Sequence, residues 1–302
     1  MTGFLGKTGS IRRSQLLFLL GVFIPLISLF ILIRVIPIAA TLGISFTNMH
    51  LLRPVTRFVG ITNFVRLLSN EPFIFAFFNS LQYVGVAVPL EIGLGLVFAL
   101  MLSRKVKFES FYETLYFIPY ILPMVPAAII WKWFYSPGSF GLANYMLESM
   151  GFSRLPWMTD PQLSLLATIG IHVWKNLGYF VIIFVVGLKN IPDELRDASS
   201  VDGANVWQTI RHIDLPLMKP IILFGMVMAT VWSWSAFTEV YIMTQGTDIS
   251  TGAEIQVLIY RVYQEAFNYH NMGRGAAISF VVFLVSLGII LVLFKVFKWG
   301  KE

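Results

Sequence analysis

The segment at residues 181–227 reads VIIFVVGL, then KNIPDELRDASSVDGANVWQTIRHIDLPLMKP, then IILFGMV. A polar, charged loop therefore lies between two apolar runs. The loop carries helix-start residues at Pro192-Asp193-Glu194, a glycine break at Gly203 and a proline at Pro216. These signals predict a helix–glycine–helix elbow that ends at Pro216 and docks on another surface. A solvated amphipathic connector is the alternative interpretation.

The composition outside this loop is that of a membrane protein. The 302 residues are 57% hydrophobic and only 13% charged, with a mean hydropathy of +0.75, so a soluble domain is excluded and several membrane spans are predicted. The chain has no cysteine, which excludes disulfides and thiolate metal sites. The net charge of +6 fits basic loops at a membrane better than nucleic-acid binding, because no basic stripe with interleaved aromatic residues occurs.

Six apolar segments predict a single all-α transmembrane domain over residues 1–302. The first run is longer than the core of a secretory signal, so it is interpreted as an uncleaved span that Arg34 and Pro37 interrupt. The predicted spans cover about 16–46, 74–102, 115–134, 163–188, 221–244 and 276–297.

The basic residues predict the orientation of these spans. Of the 22 lysine and arginine residues, thirteen flank one set of span ends, six lie on the opposite side and three lie within spans or at their rims. The side richer in positive charge is predicted to be cytoplasmic. Both termini and the loop at 189–219 then face the cytoplasm. On the other side, residues 255–267 carry a helical apolar stripe that is interpreted as core packing, a membrane-surface helix or a partner contact.

The loop resembles the E-A-A-x3-G-x9-I-x-L-P signature of permease subunits of bacterial binding-protein-dependent ABC importers. The matching residues have the same spacing, with Asp197 in place of the usual glutamate and Ser199 in place of alanine. Further likeness to carbohydrate permeases, related to the larger maltose-transporter permease and the glycerol-3-phosphate permease, extends across nearly the whole chain. It is carried by segments such as 117–123 (FIPYILP) and 173–178 (VWKNLG). The residues that match the signature are Asp197, Ala198, Ser199, Gly203, Ile213, Leu215 and Pro216.

This resemblance implies a type I ABC importer permease fold with six transmembrane helices in the bacterial cytoplasmic membrane. It implies a second homologous permease, two copies of an ATPase subunit that dock on the loop, and an extracytoplasmic solute-binding protein. ATP and Mg would bind to the ATPase subunits, so we expect no cofactor and no enzymatic activity in this chain. A partial phosphate-loop pattern at residues 3–8 lacks its first glycine and a preceding strand.

Polar residues within the spans predict the substrate path, because such groups are costly in hydrocarbon. His172, Lys175, Asn176 and Tyr179 share one face of the fourth predicted span. The resemblance implies that sugar contacts fall on the third, fourth and fifth spans. The complete predicted set is Tyr120, Met124, His172, Lys175, Asn176, Tyr179, Trp232, Ser233 and Glu239.

Structural alternatives stand beside these assignments. His172 is alternatively a helix–helix hydrogen bond, Lys175 a partner of Glu239 or of an acid in another chain, and Trp232 a packing residue. Arg34 and Glu91 are interpreted as structural pairs or partner contacts. Lys175 also leaves open a phosphorylated or acidic sugar as the substrate.

Other functions remain open at this point. A secondary, ion-coupled transporter would also carry polar residues in its spans, although it usually has more helices in repeats. An intramembrane enzyme lacks support, because the four histidines are scattered without a catalytic motif. An assembly scaffold leaves the polar face of the fourth span unexplained, and an importer of a non-carbohydrate solute such as glycerol phosphate is a further alternative.

Overall fold

The computed structural model describes residues 5–103, 108–137, 140–244 and 255–297. This part of the chain is helical, and its only extended pairing is an isolated bridge between Thr47 and Phe58. The helices are α1 Leu5–Phe30, α2 Ile36–Ser45, α3 Thr62–Leu68, α4 Glu71–Leu102, α5 Glu109–Ile121, α6 Met124–Phe134, α7 Leu142–Ser149, α8 Pro161–Lys189, α9 Asp193–Val201, α10 Val206–Thr209, α11 Leu215–Trp234, α12 Thr238–Thr244, α13 Leu258–Tyr263 and α14 Met272–Val296.

Five helical segments of the described chain are long and apolar enough to cross a membrane, and a sixth candidate is a bent pair of helices. The pair is α5 and α6, which meet at an angle of 94°. The span predicted over 115–134 therefore consists of two helices joined by a bend. Leu122 adopts extended backbone angles, as expected of a residue that precedes a proline, and Pro123 lacks the N–H that would continue the helix. The five long segments are Gln15–Ser45, Glu71–Leu102, Pro161–Lys189, Val206–Thr244 and Met272–Val296.

Two further prolines were predicted to interrupt or end helices, and neither does. A π-helical turn at Ile31–Val35 precedes Pro37, and another at Ile210–Asp214 precedes Pro216. A π turn widens the helix by one residue, which accommodates a proline that cannot donate to the preceding turn. The helical path therefore continues through both prolines. The helix that follows Gly203 does not end at Pro216 but runs on into α11, which begins at Leu215.

The centre of the molecule is the packing of α4, α8 and α11. A Cβ at Gly95 would lie 2.9 Å from Cβ of Phe180, and a Cβ at Gly225 would lie 3.0 Å from the ring of Phe184. Both phenylalanines are fully buried. Small residues at such crossings let membrane helices approach closely, which compensates for the weak hydrophobic drive between them in lipid.

The bent third span is fixed by contact with α8. A Cβ at Gly178 would overlap the backbone carbonyl of Tyr116 in α5, so the two backbones touch. This contact brings the end of α5, which carries Tyr120, against the face of α8 that carries Tyr179.

The two ends of the described chain are packed differently. Side chains 15–40 of the first span are all exposed, and only its end, in α2, packs against α14. Near the other end, the apolar stripe at 255–267 is core packing, because Ile255, Leu258 and Ala266 are buried. Phe267 is the one exposed member of the stripe, which consists of Ile255, Leu258, Ile259, Val262, Tyr263, Ala266 and Phe267.

Candidate substrate path and docking loop

Three aromatic side chains from three helices meet beside the breaks in the third and fifth spans. Tyr120 lies near the end of α5, Tyr179 on α8 and Trp232 near the end of α11. The ring centroids are 5.3 Å apart for Tyr120 and Tyr179, 4.8 Å for Tyr179 and Trp232, and 6.2 Å for Tyr120 and Trp232. All three are half-buried, so this aromatic cluster keeps part of its ring surface and of its polar edges accessible.

Lys175 is held at the edge of the aromatic cluster. Its Nζ donates to the backbone carbonyl of Tyr120 at 3.0 Å and lies 5.5 Å from the centroid of the Tyr120 ring. This carbonyl is free to accept because α5 ends one residue later, and the end of a helix favours a cation. Within the described residues Lys175 forms no direct salt bridge, and Glu239 instead meets Nδ1 of His172 at 2.7 Å.

A second group of polar side chains, which we call the charge cluster, contains the buried Tyr83, Glu91, His172 and Glu239 and the half-buried Asn176. Nδ1 of His172 is 2.7 Å from Oε1 of Glu239, and Nε2 is 3.5 Å from Oε1 of Glu91. The hydroxyl of Tyr83 donates to the same Oε1 of Glu239 at 3.3 Å. Nδ2 of Asn176 lies 3.1 Å from Nε2 of His172. The charge cluster therefore joins α4, α8 and α12.

The nine predicted path residues separate into two layers. Ser233, with its hydroxyl 3.5 Å from Nε2 of His172, lies with His172 and Glu239 in the buried layer. The helix–helix role considered for His172 is thus observed, since it connects α8 to α12. The layer that remains half-buried comprises Tyr120, Met124, Lys175, Asn176, Tyr179 and Trp232.

The sequence did not indicate that Tyr83 and Glu91 belong with these residues. Glu91 is fully buried in α4 and was interpreted as a structural pair, which its proximity to His172 supports. Tyr83 looked like an ordinary aromatic residue of an apolar span. It meets Glu239 across 156 positions of sequence, a separation that no local periodicity reports.

The loop at 189–219, which we call the docking loop, is braced by internal hydrogen bonds. The guanidinium of Arg196 donates to Asp214 at 3.0 Å and to the carbonyl of Leu188 at 3.1 Å, which ties α9 to the ends of α8 and α11. The hydroxyls of Ser199 and Thr209 share a hydrogen bond of 3.1 Å. Gly203 has φ +78°, a left-handed conformation that favours glycine, and it makes the turn between α9 and α10.

The signature residues divide between this interior and the surface. Ser199 is buried, and Ile213, Leu215 and Pro216 are half-buried inside the elbow. Asp197, Ala198 and Gly203 are exposed. Next to them, the side chains of Val201 and Trp207 are 88% and 76% exposed. Large apolar side chains on a polar loop are typical of a protein–protein contact.

Comparison with known proteins identifies the family. Residues 91–297 match the model of the binding-protein-dependent transport system inner membrane component. The chain is 30% identical to the trehalose/maltose transport system permease protein MalF of Thermococcus litoralis over 96% of both chains. It is 34% identical to the probable ABC transporter permease protein YesP of Bacillus subtilis, over 96% of this chain and 93% of that protein.

A solved structure shares the fold. It is a chain of a bacterial ABC transporter involved in the import of the acidic polysaccharide alginate, with a TM-score of 0.82 and 24% identity over 97% of this chain and 99% of that one. The helical architecture is therefore that of type I ABC importer permeases. The family also decides against the secondary-transporter alternative. The chain belongs to the binding-protein-dependent transport system inner membrane components, and it is a multi-pass permease subunit of an ABC transporter.

Proposed function

We propose that this permease passes a sugar or sugar derivative, delivered by an extracytoplasmic binding protein, across the cytoplasmic membrane. The observation that carries the proposal is the aromatic cluster with Lys175 at its edge. Two relatives support it by name: the trehalose/maltose permease of Thermococcus litoralis and the arabinooligosaccharides permease AraP of Bacillus subtilis, which is 30% identical over 90% of this chain.

The chemistry of the half-buried layer suits a polyhydroxylated ring. Tyr120, Tyr179 and Trp232 offer flat apolar faces to the C–H side of a sugar, while the amide of Asn176 both donates and accepts hydrogen bonds. Lys175 has three N–H donors, and one is used on the carbonyl of Tyr120. Met124 begins α6 just beyond the break, where a flexible thioether can adapt to different ligands.

The proposed energy input enters through the docking loop. Its exposed face would sit in a cleft of an ATPase subunit, and ATP with Mg would bind to that subunit. The brace from Arg196 to Asp214 and to the carbonyl of Leu188 would pass the motion of the ATPase into α8 and α11. A second, homologous permease and a second ATPase would complete the complex, with both termini of this chain in the cytoplasm.

The test uses the complete complex in proteoliposomes with its binding protein. Neutral sugars, sugar phosphates, acidic sugars and glycerol phosphate are compared for stimulation of ATP hydrolysis and for uptake. We expect at least one sugar or sugar derivative to stimulate both. Stimulation by glycerol phosphate alone would support the non-carbohydrate alternative, and a panel in which no sugar acts would refute the carbohydrate assignment.

A further inference from the structure

The fifth span is broken where it passes the aromatic cluster. α11 ends at Trp234, and the seven-residue α12 begins at Thr238. The third span breaks at the same level, because Tyr120 and Trp232, which lie just before the two breaks, are in ring contact. The pieces beyond the breaks, α6 and α12, pack together, and Nζ of Lys132 in α6 donates to the carbonyl of Ile242 in α12 at 2.7 Å.

One carboxylate oxygen connects α12 to the charge cluster. Oε1 of Glu239 receives the hydroxyl of Tyr83 and faces Nδ1 of His172. The apolar side chains of α12, such as Val240 and Met243, are also buried, but apolar contacts are not directional. The polar contacts of Glu239 therefore fix the position of this short helix against α4 and α8.

Burying the charge cluster costs desolvation free energy. Glu91 is fully buried, and neither of its carboxylate oxygens has a hydrogen bond within the described residues. Its Oε1 lies 3.5 Å from Nε2 of His172, which offsets a charge on Glu91 when the imidazole is protonated. Buried ion pairs of imperfect geometry contribute little to stability, whereas the loss of one partner leaves an uncompensated charge. Such an arrangement suits a contact that must break and re-form.

We propose that Glu91, His172 and Glu239 form a clasp that holds α12 closed beyond the aromatic cluster, and that release of Glu239 from His172 opens the path toward the predicted outer side. The inference rests on the proposed function for the existence of the path. It assigns His172 and Glu239 to the control of access and not to contact with the sugar. The clasp makes Glu239 the direct hold on α12, while Glu91 acts only through His172.

The test takes advantage of the absence of cysteine from this chain. Ala236, in the break between α11 and α12, is 4% exposed, so A236C is a conservative single reporter. The complete complex in proteoliposomes without ATP is treated with a membrane-impermeant maleimide added to the outer side. We expect E239Q to raise the labelling rate roughly tenfold, within the usual range for coupled sites.

The order of the labelling rates among the variants distinguishes the loss of this clasp from a general destabilisation of the protein. H172Q should raise labelling as much as E239Q, and the double variant should add little more, since all three break the same contact. E91Q should raise the labelling rate less than E239Q does. Glu91 lies 3.5 Å from His172, whereas Glu239 lies only 2.7 Å from it. Y83F removes one hydrogen bond to Glu239 and keeps the shape of the side chain, so it should raise the labelling rate by an intermediate amount. It replaces E239Q in the test if the complex with E239Q does not assemble.

The matched control is E265Q. Glu265 is buried like Glu239, at 3% against 4% exposure, and pairs with Arg261 of α13 and Arg274 of α14. Labelling of A236C that rises equally in E265Q, or that stays unchanged in E239Q and Y83F, would overturn the proposal. The labelling needs no sugar, so it can succeed or fail independently of the sugar panel that tests the proposed function.

Discussion

Gly178 shows how a single residue without a side chain positions the proposed site. Its Cα faces the carbonyl of Tyr116, and the α5 backbone that this contact supports carries Tyr120 and accepts the hydrogen bond from Lys175. The sequence marked Gly178 only as part of a familiar motif. The steric reason became visible once α5 and α8 were placed against each other, because a glycine in an apolar helix has many possible causes.

We expect Gly178→Ala to destabilise the permease by about 1–3 kcal/mol, the usual cost of overpacking, and to lower transport. The measurements are the thermal unfolding of the purified complex and sugar uptake. Gly170→Ala is the control on the same helix, because its Cβ would find its nearest neighbour, the hydroxyl of Tyr135, at a comfortable 3.7 Å. Equal stability of the two variants would contradict the close contact of α5 and α8.

Trp232 distinguishes the sugar path from ordinary packing. We expect Trp232→Ala to raise the sugar concentration needed for half-maximal ATPase stimulation by roughly tenfold or more, since stacking on a ring contributes about 1–3 kcal/mol where it has been measured for nucleic-acid bases. Trp133→Ala is the control, because Trp133 is largely exposed on α6. A Trp232 variant with lower stability but unchanged sugar dependence would assign this residue to packing.

Among the helices, the docking loop was the most predictable element. Its start at Asp193, its turn at Gly203 and the second helix after it all follow from local chemistry: acidic residues at a helix start, a left-handed glycine and the capping box of Asn205 with Gln208. The π turns before Pro37 and Pro216 were not predictable, because proline normally ends a helix and no sequence pattern announces the compensating turn. The break at Pro123 shows the opposite outcome for the same residue type.

The exposed side chain of Trp207 gives a direct test of docking. We expect Trp207→Glu to reduce recovery of the ATPase with the permease by at least about tenfold, because a buried apolar anchor at an interface is often worth 2 kcal/mol or more. Co-purification from membranes measures this. Phe152→Glu, at a similarly exposed apolar residue on the opposite side of the membrane in our topology, should leave recovery unchanged. Normal recovery of the ATPase with the Trp207 variant would contradict docking and support the alternative that the loop is a solvated connector.

At the scale of the whole molecule, the fold was predictable to the level of its spans, and the contacts between spans were not. The long apolar runs predict how often the chain crosses the membrane, and the basic loops predict its orientation. Glu239 contacts His172 and not Lys175, and this pairing depends on how α12 packs against α8. That choice comes from packing, and a list of polar residues cannot report it.

Residues 15–40 of the first span are exposed in the described chain, and they include Arg34. An arginine in hydrocarbon costs about 2.5–3.5 kcal/mol unless it is paired, so we expect an acidic residue of the second permease to meet it. Arg34→Leu should then lower the yield of assembled complex, measured by size-exclusion chromatography. Arg57→Leu, in an exposed loop, is the control. A higher yield with Arg34→Leu would mean that this face meets lipid.

The bend of the third span has a consequence for how the protein is made. α5 has 13 residues and α6 has 11, so at 1.5 Å per residue they reach about 20 and 17 Å, and neither crosses a 30 Å hydrocarbon core by itself. The support for the bend, including Gly178 and Tyr179, lies on α8, which leaves the ribosome later. We therefore expect the nascent third span to stay at the translocon or in the membrane interface until the fourth span has been synthesised. The two spans would then insert into the bilayer together.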